Sequence, residues 1–343
     1  MPALVLVDGG RISRREATTR FRRAVLTVLL CATHNNGRLP HTESAAALES
    51  LPTVNAMLIT NILFPVAFSP SCVAMAPYVQ RAAAMFGARV SLLHVVDPAS
   101  HSGFELYSRT PFEISEEHLE IGRERLAAFL PAEFPVDVCP RIIAAGDAAT
   151  HIAKVAREGR FDLIVMPTHA GIFRQMLLGS TTAKVLDDAD CFVLTSRHAE
   201  TIAPRPLEHR EWLCAMGLSS HAERVLRYAS QGAAEVNSRL SIIHAIQGGD
   251  PDLTVQLDLQ KELHSAEKQK ATERITEIQR AAGTDVPVRI SVGSVKKTLL
   301  RAVGESDADV LIMGRGPRSG TYGRLRDLSY AMIRDSPFPV LSI

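Results

Sequence analysis

The chain of 343 residues contains a long internal repeat, and a unit that recurs at a fixed offset has to fold as the same module twice. The apolar run 62–69, which closes in a serine turn, returns at 213–219 with an offset of 150. Ser91-Leu92-Leu93-His94-Val95-Val96 returns at that offset as Ser241-Ile242-Ile243-His244-Ala245-Ile246. Further on, Gly146 and Gly293, Asp162 and Asp309, Met166 and Met313, and Val193-Leu194 and Val340-Leu341 all share an offset of 147. So many agreements at two nearly equal offsets exclude coincidence, so the chain holds two related halves.

Each half sets short continuous apolar runs between segments of helical periodicity, which is how buried parallel strands and their crossover helices appear in sequence. In the first half this predicts strands over 61–67, 89–95, 137–144, 161–166 and 191–196, with helices over 71–86, 115–130, 148–158 and 180–187. Ala149, Ile152, Ala153 and Ala156 show the three- and four-residue spacing of a core-facing helix stripe. Pro77 falls inside the first helix and predicts a kink or a later start. The second half repeats the plan, with a long charged helix over 257–282. Its Lys261, Glu262, Glu267, Lys268, Lys270, Glu273 and Arg274 read as a solvated face rather than a binding patch.

Composition narrows the function classes. At roughly 150 residues per domain the length suits two compact domains, and 46% hydrophobic residues supply their cores. Lys and Arg number 38 against 37 for Asp and Glu, a formal charge of +1, so no overall field favours nucleic acid or an anionic membrane. Cys31, Cys72, Cys139, Cys191 and Cys214 are odd in number and form no C-x-x-C, which signals neither a disulfide framework nor a zinc knuckle. No apolar run approaches the ~18 residues of a membrane span. These features predict a cytoplasmic protein without nucleic-acid or membrane partners.

Residues 1–55 stand outside the repeat. Arg11, Arg14, Arg15, Arg20, Arg22 and Arg23 precede a short apolar run, 24–32, in an order that resembles a signal peptide. Against export, the basic stretch lies behind an apolar start over 1–7, and nothing downstream resembles a disulfide-stabilised secreted fold. The plainer expectation is an extension, partly helical over 17–33, or an upstream start codon chosen in error, with a linker through 44–55. The expected organisation is therefore an extension or linker over 1–55 and domains over 56–200 and 207–343.

The residues themselves carry a family likeness. Asn61 to Ser69 (NILFPVAFS), Leu92 to Asp97 (LLHVVD), Gly146 to Ala149 (GDAA), Asp162 to Met166 (DLIVM) and Leu177 to Ser180 (LLGS) resemble the universal stress protein domain. Gly217 to Ser220, Ile242 to Ala245, Asp309 to Gly314 and Ser336 to Ser342 resemble a second copy in the same order. The resemblance implies an α/β fold of two adenine-nucleotide α-hydrolase-like domains, each a five-stranded, mostly parallel sheet of order 3-2-1-4-5 with helices on both faces. It also implies pairing of the domains through their last strands, 191–196 against 339–343. A monomer and a homodimer of tandems both fit that arrangement.

Members of the family that bind ATP carry G-x2-G-x9-G-S/T after the fourth strand and an Asp at the end of the first. The resemblance then implies ATP with Mg²⁺ in the first half, held by Pro65, Val66, Ala67, Val95, Met166, Pro167, His169, Ala170, Gly179 and Ser180. Glycines admit phosphates to the backbone, and a helix start favours negative charge. The first half departs from the pattern: Pro167 and Ala170 replace two glycines, eight residues rather than nine precede Gly179-Ser180, and Ala67 replaces the acid. The second half keeps Gly314 and Gly316, but Arg326-Asp327 replaces Gly-Ser, and Gly217 stands at the acid position. Arg315, Arg318, Arg324 and Arg326 either form a different anion pocket or a solvated loop paired with Asp327 and Asp335.

Other constellations are weaker. Gly314, Gly316 and Gly320 have the wrong spacing for a dinucleotide loop, and no P-loop, H-E-x-x-H or G-x-S-x-G occurs. His94 and His244 read as hydrogen-bonded core residues rather than matched catalytic bases. His169 is better placed to touch a ligand, with no partner aligned for acid-base work. The expectation is a stress-response factor that acts without turnover, its nucleotide site degenerate in the first half and more eroded in the second. Two rivals stay open: a slow ATPase or nucleotide-dependent switch, and a protein-interaction scaffold whose partner is unknown.

Overall fold

The computed structural model describes residues 59–96, 116–168, 178–197, 199–201, 203–204, 210–248, 258–315 and 323–343. The first half runs β1 (Asn61–Pro65), α1 (Pro70–Phe86), β2 (Arg89–Val96), α2 (Glu116–Ala127), β3 (Arg141–Ala145), α3 (Ala148–Glu158), β4 (Leu163–Pro167), α4 (Ser180–Asp188) and β5 (Phe192–Ser196). The second half repeats it with β6 (Glu211–Ala215), α5 (Ala222–Glu235), β7 (Arg239–Gln247), α6 (Asp258–Ala282), β8 (Val288–Gly293), α7 (Val295–Glu305), β9 (Val310–Met313), α8 (Gly323–Asp335) and β10 (Val340–Ser342).

The strands form one ten-stranded sheet of order β3-β2-β1-β4-β5-β10-β9-β6-β7-β8. Each half is therefore the expected 3-2-1-4-5 sheet, parallel within itself. The halves join where β5 and β10 pair antiparallel, Val340 opposite Thr195 and Ser342 opposite Val193. That pairing covers for each half an edge strand that would otherwise template aggregation.

Alternation along the strands sends successive side chains to opposite faces and creates two cores. Ile62, Phe64, Trp212 and Cys214 pack on one face beneath α1, α2, α5 and α6, in a cluster continuous across both halves. Leu63, Ile164, Leu213 and Leu311 pack on the other face with α3, α4, α7 and α8. Among the described side chains of the charged helix α6, a stripe that includes Ala271, Ile275 and Ile278 is buried, and Glu267, Lys268, Lys270, Glu273 and Arg274 are exposed, so that face is solvated there; the side chains of Lys261 and Glu262 lie outside the described residues. The repeated Gly146 and Gly293 hold φ of 129° and 150°, a region that only glycine occupies without strain, which accounts for that pair in the repeat.

Local differences from the expected elements have plain causes. The third strand begins at Arg141 rather than 137, because Val138 and Cys139 donate their backbone N–H to the Pro135 carbonyl and keep that stretch turned. Pro77 does not shift the start of α1. Ser69 accepts from the Cys72 N–H as its N-cap, Pro70 takes the first turn, and Pro77 sits on the exposed face, where solvent can serve the freed carbonyl. Among the described residues no helix is long and apolar enough to cross a membrane.

Candidate functional site

In a parallel sheet all strands end at one edge, and a crevice opens where the chain leaves neighbouring strands toward opposite faces. In the first half β1 and β4 are those neighbours. After β1 the chain enters α1, whose Cys72, Met75 and Val79 join one core; after β4 it reaches α4, whose Val185 and Leu186 join the other. Pro65, Val66, Ala67, Val95, Met166, Pro167, Gly179 and Ser180 are brought to this one edge. His169 and Ala170 lie outside the described residues.

What these residues present is limited. Pro65, Val66, Met166 and Pro167 are buried, so only their backbones could meet a ligand; Ala67 and Ser180 are exposed. Pro167 has no N–H, and it extends β4 in register with Ser196 of β5. The pairing continues one residue further, with Thr168 N–H donating to the Ser196 carbonyl at 3.2 Å. Gly179 N–H then donates to the Thr168 carbonyl at 3.0 Å, and the Thr182 hydroxyl to the Pro167 carbonyl at 3.1 Å, which ties the start of α4 back onto the strand end. No side chain caps α4, so its first-turn amides are the donors left to an anion.

Around the β1 end the side chains hold one another. His94 Nδ1 lies 2.8 Å from the Val66 carbonyl, and His244 Nδ1 makes the same 2.8 Å contact with Met216, so both histidines pin the end of the first strand of their half. Phe68 adopts a left-handed φ of 54°, its ring centroid 4.4 Å from that of His94 and the Arg125 guanidinium 4.3 Å above it. Nothing in the linear pattern signals that stack, since its members come from β2, α2 and the β1–α1 turn. Asp147, the N-cap of α3, accepts from the Thr150 hydroxyl at 2.6 Å and N–H at 2.9 Å, and Lys184 of α4 stands 3.3 Å away. The Thr150 hydrogen bonds, with Lys184 adding to them, hold the Asp147 carboxyl down at about 2.

In the second half the described start of the loop, Gly314 and Arg315, is engaged in packing and in contacts with the first half. A Cβ on Gly314 would stand 2.9 Å from the Val225 side chain of α5, so any other residue there would have to displace Val225. A Cβ at Gly217 would meet nothing within 4 Å, so an acid would fit at that position although none is present. Arg315 itself follows neither sequence expectation, the anion pocket nor the solvated loop. Its Nη1 donates to the carbonyls of Leu186 and Ala189 at 3.1 and 2.8 Å, and its Nη2 to Cys191 at 2.8 Å, all in the first half. Tyr330 of α8 donates nearby to Asp187 at 2.6 Å. Asp335 takes Arg334 at 2.8 Å, Lys296 at 2.5 Å and Arg197 of the first half at 3.7 Å; the Arg334 bonds lead in holding its carboxyl well below the usual range. The side chains of Arg318, Arg324, Arg326 and Asp327 lie outside the described residues.

The fit of a nucleoside triphosphate to the first half is thus partial. The amides of α4 suit an anion, whereas Ala67 supplies no carboxylate and Pro167 no amide. Among the described residues no group of three or more His, Cys, Asp or Glu side chains comes together to hold a metal.

The universal stress protein family model matches the chain twice, at residues 59–197 and 210–343. A universal stress protein from Archaeoglobus fulgidus DSM 4304 is similar in structure with a TM-score of 0.56 and 22% identity, over 84% of this chain and 97% of that one. A protein of unknown function from Pseudomonas aeruginosa PAO1 aligns with a TM-score of 0.56 and 19% identity, over 84% and 93% of the two chains. At these identities the likeness shows a shared fold. No curated protein matches at a comparable level.

Proposed function

The chain belongs to the universal stress protein family as a tandem of two such domains, and from that premise we propose that it is a non-enzymatic stress-response factor of the cytoplasm. In this reading domain 1 keeps a degenerate nucleotide site reduced to the anion-binding start of α4, and domain 2 has turned its phosphate loop to structural use. The observation that carries it is the strand end itself. Pro167 offers no amide and the Thr168 N–H stays hydrogen-bonded to Ser196 of β5, where a phosphate loop would need free amides, and Arg315 of domain 2 is spent on three carbonyls of domain 1. Support for a reducing compartment comes from Cys72, Cys139, Cys191 and Cys214, which are all free thiols.

Among the described residues no arrangement supports turnover. His94 is engaged with the Val66 carbonyl, and no carboxylate stands at Ala67 to hold a metal-bound triphosphate.

The test is calorimetric titration of the full chain with ATP and Mg²⁺, after extraction of any nucleotide that co-purifies. The reading expects weak binding, at one site per chain, that Gly179→Val with Ser180→Ala abolishes, and no ATP hydrolysis. Micromolar binding with measurable hydrolysis would replace it with the nucleotide-switch reading. Binding unaffected by the double variant would place the ligand elsewhere.

A further inference from the structure

The two halves repeat one another, yet one aromatic contact across their seam is made on one side only. Helix α5 follows α1 at an offset of 150, so Tyr228 of domain 2 is the counterpart of Tyr78 in domain 1. Strand β10 follows β5 at an offset of 147, so Pro339, just before β10, is the counterpart of Phe192. The antiparallel pairing that sets Leu341 opposite Leu194 relates the two sides of the seam by an approximate two-fold axis. On one side the Phe192 ring of domain 1 meets Tyr228 of domain 2, with centroids 5.4 Å apart and planes at 76°, the edge-to-face arrangement that aromatic pairs favour. On the other side Tyr78 has a proline in place of that ring.

A cavity of about 70 Å³ lies on that second side, and both Tyr78 and Pro339 border it. The second half of α1 forms one wall, Trp212, Val310 and Leu341 of domain 2 the facing one, and Ala203 and Pro204 of the inter-domain connector the rim. Arg81 and Asp309 are the charged side chains of this lining, and at 3.9 Å they offset one another. The rest is aromatic or aliphatic. Met85, Phe86, Phe338 and Pro204 keep part of their surface accessible, so the lining offers apolar contacts to a molecule that enters.

We propose that this cavity binds a single neutral aromatic ring, which takes beside Tyr78 the part that the Phe192 side chain takes beside Tyr228. An enclosed apolar cavity of about 150 Å³ holds benzene whole. The seam space is about half that size and opens at the exposed Ala203, so it takes one ring with the outer edge at the rim, and no fused second ring. A charged substituent would be desolvated if carried inward and therefore belongs at the rim. The lining comes from both domains and their connector, so an occupant bridges the tandem. The inference does not depend on nucleotide binding at α4.

Trp212, the chain's single tryptophan, borders the cavity, so its emission reports occupancy. The full chain is titrated with benzene and with cyclohexane, a ring of similar size without the aromatic face. Benzene is expected to change the emission saturably and to raise Tm by about 2 °C at a tenfold excess over its Kd. Once each affinity is divided by the probe's water-to-hydrocarbon partition coefficient, cyclohexane is expected to bind at least about twofold more weakly, the low end of what an aromatic pair adds beyond buried area. Pro339→Phe gives domain 2 the ring that domain 1 already has, and Ala203→Leu narrows the cavity from its exposed rim; each should abolish the response. Absence of both a saturable change and a rise in Tm, normalised cyclohexane affinity equal to or above that of benzene, or an undiminished response in either folded variant would each overturn the proposal.

Discussion

Arg315 of domain 2 donates to the carbonyl oxygen of Ala189 in domain 1 at 2.8 Å, closing the C-terminus of the same helix whose N-terminus forms the candidate anion site. A cation at a helix C-terminus satisfies orphan carbonyls and complements the helix dipole. With Leu186 and Cys191 as its other acceptors, one side chain holds α4 to the neighbouring domain.

Arg315→Ala should therefore destabilise the protein by about 2–3 kcal/mol, the scale of lost hydrogen bonds from a charged donor. Arg315→Lys should recover little, because an ammonium lacks the planar fork that spans three acceptors. Urea denaturation of both variants checks this, and a lysine variant as stable as the parent would contradict it.

Val193 and Val340 lie at the β5–β10 junction with 0% and 1% exposure. Val340→Asp places an unpaired charge there and should cost at least about 3 kcal/mol. Opening of the junction would expose two strand edges, so light scattering should show association or circular dichroism should show unfolding. A soluble monomer of parental stability would be incompatible with this junction in solution.

Asp147 titrates at about 2 in the folded protein against an ordinary value of 3.8. A depressed folded pKa contributes stability that is present above the unfolded value and is lost as pH falls through about 4 toward 2. Asp147→Asn keeps a capping side chain and removes the titration, so the acid limb of the stability profile should flatten in that window. The side chain is 48% exposed, which limits the effect to less than about 1 kcal/mol after solvent screening. Chemical denaturation at a series of pH values measures it.

Burial pushes the Cys191 thiol up to about 11 and the Cys214 thiol up to about 12. The thiolate is the nucleophile, so at pH 8 the native protein should alkylate at both positions at least ~100-fold more slowly than the unfolded chain. Peptide-level mass spectrometry after iodoacetamide resolves each site. Rapid native labelling of Cys214 would show that β6 is open to solvent.

The linear sequence by itself determined the two-fold repeat, the strand and helix order, and the candidate edge of the sheet. Those follow from local signals: apolar runs such as 62–66, the Asp147 cap, and glycines at 146 and 293 whose φ values other residues rarely adopt. It also exposed the departures at Ala67, Pro167 and Gly217, because a missing acid or amide is visible without coordinates. Only the tertiary structure decided what Arg315 does. Its acceptors are backbone carbonyls more than 120 residues away, and every residue carries a carbonyl, so no residue type in the sequence marks them. The same holds for Arg81, Asp309 and Trp212 at the seam: Arg81 comes from one domain and the other two from its partner domain, and they meet only because β5 and β10 fuse the two sheets into one. Hydrophobic periodicity is a property of neighbours along the chain, whereas a guanidinium's partners and a cavity's walls are set by how finished elements pack.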